Sequence, residues 1–139
     1  MHHPWRELRD RGDHVRLLWT EFNDGRVGAT VGNDIYLDRR LLQSEKRCAI
    51  QHEQMHIEFG HDGCQSEKDE ARVRKLTAQR LIHRDDLIRA MQWAMSLEEC
   101  ADELWVTPEV LRDRIHFMHP SEKLLIAAAV EAGKESHAD

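Results

Sequence analysis

Residues 44–59, SEKRCAIQHEQMHIEF, read as one helix and decide how the rest of the chain is read. Ser44 suits the N-cap, Glu45 the first turn, and Gly60 the stop. Inside this segment stands His52-Glu53-Gln54-Met55-His56, an H-E-x-x-H pattern. Residues i and i+4 share one helix face, so the two imidazoles can grip a single divalent ion. Glu53 then sits beside the open coordination position, where a carboxylate can take the proton of a water attacking a peptide carbonyl. So short a pattern arises by chance in some chains with ten histidines, and context has to decide. Cys48, Met55 and Phe59 form an apolar stripe next to His52. An imidazole near that buried side is costly without a partner, and a metal supplies one for both. The expected ion is zinc.

A catalytic zinc site needs a third protein ligand and a free fourth position. His61 and Asp62 come first after the helix. A metzincin turn would require Gly at position 59, where this chain has Phe59, so Asp62 falls at the ligand position without its turn. Glu67 and Glu70 follow, early in a second helix expected from about Ser66 to Ile82. They lie one turn apart on one face, and spacing alone does not separate them. Cys64 is the one thiol near the site by sequence, with a loop or packed thiol as its default role.

A longer string resembles the ImmA/IrrE-type metallopeptidases of phages, mobile elements and bacteria. It begins with Asp34-Ile35-Tyr36-Leu37-Asp38 and Arg39–Leu42, and continues through Arg47-Cys48 and the HEQMH helix. Glu58-Phe59-Gly60, Cys64, Glu70-x-x-Val73 and Thr77-Ala78-x-Arg80-Leu81-Ile82 complete it. The resemblance covers roughly residues 4–120 and is closest to a small phage-encoded branch. It implies that His52, His56 and Glu70 hold zinc and that Glu53 is the general base. Larger members show E-x-x-A-N after the zinc helix, whereas this chain has Glu70-Ala71-Arg72-Val73-Arg74, and Glu67 stays an alternative. The resemblance also implies a substrate class, a dedicated helix-turn-helix repressor whose cleavage releases silenced genes.

At 139 residues the chain suits one domain with a real core. No stretch approaches the length of a membrane span, and the segment MHHPWRELRDRGD lacks the apolar run of a secretory signal. Three cysteines, Cys48, Cys64 and Cys100, without CxxC spacing read as reduced thiols in a cytoplasmic protein. Charge is uneven. Residues 97–139 carry ten acidic and four basic side chains, which accounts for the whole net charge of −6.

Around the zinc helix the pattern predicts an α+β fold. Pro4, Trp5 and Leu8 mark a short opening helix over His2–Arg11. Val15–Phe22, Gly25–Val31 and Asp34–Leu37 read as three strands of a small antiparallel sheet, with Gly32-Asn33 as a hairpin turn. In zincins generally, a sheet edge beside the metal holds extended substrate by strand addition. Asp85–Met95 follows as a helix whose Leu87, Ile88, Met91 and Met95 form a core stripe. Leu97–Phe117 matches a helix-turn-helix-like unit, with Thr107 as N-cap and Pro108 as first helical residue. Ser121–Gly133 reads as a last amphipathic helix before a polar tail. Residues 1–83 are expected to form the zincin-like core, with 84–139 packed on it as a helical region.

DNA binding by the helix-turn-helix-like unit is disfavoured by charge. Its second helix carries Glu109, Arg112, Asp113 and Arg114 within a strongly acidic segment, whereas phosphate needs cations. The sequence thus points to a zinc endopeptidase acting on a protein. The rival is a metal-binding regulator that holds a repressor without cutting it.

Overall fold

The computed structural model describes residues 1–61 and 65–136. Among them, helix α1 (Pro4–Asp10) leads into strands β1 (Arg16–Thr20), β2 (Gly28–Val31) and β3 (Asp34–Asp38). Helices α2 (Gln43–Glu58), α3 (Glu67–Leu81), α4 (Arg84–Trp93), α5 (Leu97–Glu103), α6 (Pro108–His116) and α7 (Pro120–Ser136) follow. The fold is α+β. No helix among the described residues is long and apolar enough to cross a membrane.

The sheet corrects one expectation. It is mixed, not antiparallel, with strand order β1-β3-β2. β2 and β3 form the hairpin at Gly32-Asn33, and only Gly32 has positive φ, +61°, as a glycine-first turn demands. β3 then runs parallel to β1, with Arg16 opposite Asp34. The Arg16 guanidinium donates to both oxygens of that carboxylate at 2.9 and 2.8 Å, which pins the register. Burial explains the order. Ile35 and Leu37 are fully buried, so β3 takes the centre, while the connection from β1 carries β2 to the far edge.

Asp38 closes that connection. Its carboxylate accepts from the Phe22 amide at 3.2 Å, and from the Arg40 amide and Nε at 2.9 Å each. The Arg40 side chain and then these amides hold the carboxyl far below its usual pKa. A depressed carboxylate stabilises the fold above its unfolded pKa, and that contribution fades as pH falls towards the folded value. Asp38→Asn is therefore expected to lower the urea midpoint at pH 7. Its gap to the parent chain should close as pH drops below about 4. A gap independent of pH would show that Asp38 acts through shape alone.

α2 runs through the middle of the molecule. Nine of its residues between Arg47 and His56 are buried. Ala49 and Ile50 join the smaller core, which includes Val15, Ile35 and Leu37 under the sheet. Cys48 joins the larger one, with Leu81, Ile82, Leu87, Leu111, Ile126 and others from the remaining helices. The start of α2 differs from expectation: Leu42 is the N-cap, two residues before Ser44. The Glu45 carboxylate supplies the cap by accepting from the Leu42 amide at 2.8 Å, so serine is not needed there. The predicted stop holds, with Gly60 at φ +67°.

Two polar residues on α2 are fully buried and anchor the N-terminal segment. Gln54 donates to the Pro4 carbonyl at 2.9 Å and accepts from Arg11 Nε at 2.9 Å. Gln51 Oε1 lies 2.6 Å from His2 Nε2. α3 starts as predicted, with Ser66 Oγ accepting from the Asp69 amide. α5 and α6 flank a short connection in which Thr107 caps α6, Pro108 follows, and Trp105 adopts φ +59°. Residues on both sides of position 83 share the larger core, and buried Arg114 of α6 donates to the Ile82 carbonyl at 2.9 Å.

Candidate metal centre

Helical spacing puts His52 and His56 one turn apart on α2, with their Nε2 atoms 3.3 Å from each other. α3 brings Glu70 across from them. One carboxylate oxygen lies 3.6 Å from His52 Nε2 and the other 3.5 Å from His56 Nε2. Two ligands about 2.1 Å from a tetrahedral ion stand about 3.4 Å apart, so the three groups are spaced like one face of such a coordination shell. This cluster can hold a metal ion. Of the two glutamates left open by sequence, Glu70 is the one whose carboxylate reaches both imidazoles; Glu67 is exposed.

The donors suit a cation. Burial, and then the neighbouring His56, push the His52 pKa down to about 4, and burial also lowers that of His56. Both imidazoles are then neutral at pH 7, the form that ligates. The site is open to solvent on one side. His56 is nearly covered, at 11% side-chain exposure, while His52 and Glu70 keep 29% and 40%.

His61, the first residue weighed as a further ligand, has another place. Its Nδ1 lies 3.1 Å from Nδ1 of His56, on the ring nitrogen facing away from the cluster. A partner at that nitrogen fixes the orientation of a ligating imidazole. Phe59, which stands where a metzincin turn has glycine, lies under the Arg72 guanidinium at 4.5 Å. Asp62 and Cys64 lie outside the described residues.

Glu53 is buried at 7% exposure on the side of α2 that meets the sheet. Thr30 of β2 donates from Oγ1 to its Oε2 at 2.6 Å. Burial pushes its pKa up to about 7, against the lowering effect of Thr30. Gly28 makes the fit possible, because a Cβ there would come within 3.2 Å of Glu53 Cγ. Sequence reading missed both Thr30 and Gly28. The available signal was a small residue and a hydroxyl alternating on one strand face, too weak to single out alone.

Comparison with protein-family models, with curated proteins and with solved structures finds no match to this chain.

Proposed function

We propose that the chain is a zinc-dependent endopeptidase. The observation that carries this reading is the convergence of His52, His56 and Glu70 at tetrahedral-edge spacings, with buried Glu53 next to His52 in sequence. A zinc ion bound by these three side chains supplies Lewis acidity, lowering the pKa of water to about 7 and polarising a carbonyl. Glu53 takes the proton released as water attacks and passes it to the leaving amine. Thr30 fixes the carboxylate for that task, and His61 orients His56. β2 is an edge strand beside Glu53, so its outer side can add an extended peptide as a further strand.

The resemblance to ImmA/IrrE-type peptidases supports a helix-turn-helix repressor as substrate and relief of gene silencing as the outcome. The free, buried thiols of Cys48 and Cys100 suit action in the cytoplasm. The second reading is a metal-holding regulator that sequesters the repressor through its acidic C-terminal helices.

Elemental analysis of the purified chain tests the metal centre. One zinc per chain is expected, lost in His56→Ala and sharply weakened in Glu70→Ala, but retained in Glu67→Ala. Incubation of the zinc-loaded chain with the repressor encoded beside it, followed by mass spectrometry, is expected to give two fragments from a single cut. A chain that takes up no zinc when it is supplied overturns the peptidase reading. Zinc binding with an intact, tightly bound repressor favours the regulator.

A further inference from the structure

A cavity of about 440 Å³ opens beside His52, within the range of about 300–1,000 Å³ typical of ligand pockets. α2 and α3 form one side, α6 another, and Val27 ahead of β2 contributes a third. Its lining has two characters. Val27, Ala49 and Val110 provide apolar surface. The charged groups are Glu45, Glu109 and Asp113 against a single cation, Arg74. That cation is already engaged, donating to both oxygens of Asp113 at 3.2 and 2.7 Å. Glu45 and Glu109 have no ion-pair partner among the described residues. The cavity lining therefore carries a net negative charge beside the candidate metal centre, although Glu45 also accepts from the Leu42 amide.

We propose that this cavity receives a lysine or arginine side chain of the bound peptide, making it a specificity pocket. The aliphatic stem lies along Val27, Ala49 and Val110, and the cationic head is matched by Glu45 and Glu109. An acidic side chain is repelled there, and a purely apolar one leaves the carboxylates desolvated without compensation. This deepens the peptidase reading and rests on it.

Peptidyl hydroxamates, which chelate zinc and are not turned over, test the pocket on the zinc-loaded full chain. Three probes differing only in a lysine, norleucine or glutamate side chain are titrated by calorimetry, with zinc content measured in parallel. The lysine probe is expected to bind about tenfold tighter than the norleucine probe, with the glutamate probe weakest. The preference should shrink with added salt. Glu45→Gln/Glu109→Gln should erase the advantage of lysine; Gln at position 45 keeps the helix cap. Equal binding of all three probes to a chain holding one zinc overturns the pocket and leaves the metal centre standing. A chain without zinc that binds no probe overturns both.

Discussion

Replacing Glu53 by Gln is expected to leave one metal ion per chain in place and to cut peptide cleavage by roughly 10²–10⁴-fold. The substitution isolates chemistry from structure. Gln has the shape of Glu, so it fits beneath Gly28, where there is no room for a larger neighbour. It can still meet the Thr30 hydroxyl, now 2.6 Å from the carboxylate. The cluster of His52, His56 and Glu70 does not include Glu53. What the amide loses is the ability to take a proton. Elemental analysis and a cleavage assay on the same preparation check this, with the thermal midpoint as a control for folding. Wild-type cleavage by a metal-loaded Glu53→Gln chain would remove Glu53 as the base. Unchanged derepression without cleavage in either chain would favour the regulator.

Arg47→Met is expected to cost about 3 kcal/mol or more, the largest stability loss of any single substitution considered. Arg47 is buried on α2, and its guanidinium has no carboxylate partner within salt-bridge distance among the described residues. It donates instead to backbone carbonyls: Leu104 at 3.2 Å, Trp105 at 3.0 Å, His2 at 2.9 Å and Leu81 at 3.4 Å. These four lie ahead of α1, at the end of α3, and between α5 and α6, so one side chain fastens three segments to the central helix. Met keeps an unbranched apolar stem but donates nothing, and leaves the carbonyls buried and unpaired. The melting temperature should fall by roughly 10 °C. Arg47→Lys should recover only part of the loss, because an ammonium cannot present the planar fork. Arg16→Met, at the exposed pair with Asp34, should change stability little. A cost for Arg47→Met no greater than for Arg16→Met would show that water replaces the guanidinium at these carbonyls.

Burial gives Arg47 a second consequence. Desolvation lowers its pKa, yet an arginine remains charged, so the cation stays and the carbonyl dipoles must compensate it. The sequence offered no sign of this. In SEKRCAIQHEQ, an arginine on an amphipathic helix reads as a solvated charge, and Gln51 and Gln54 as polar filler. All three are buried because α2 is covered by the N-terminal segment as well as by the sheet and the C-terminal helices.

The sequence by itself determined whatever depends on near neighbours along the chain. The placement of His52 and His56 on one face, the Gly32-Asn33 hairpin, the Ser66 and Thr107 caps and the Gly60 stop all follow from backbone geometry within a few residues. Even there, Glu45 displaced the helix start by capping Leu42. Tertiary structure alone decided the rest. That Glu70 reaches both imidazoles while Glu67 is exposed depends on how α3 packs on α2, since both glutamates fit the same helix pattern. Strand order needed the burial of β3, because alternation marks a strand without naming its neighbours. Thr30 at Glu53 and Arg47 at four carbonyls come from contacts between residues far apart in sequence. Such contacts form only when whole faces pack, and no local pattern encodes which side chains then meet.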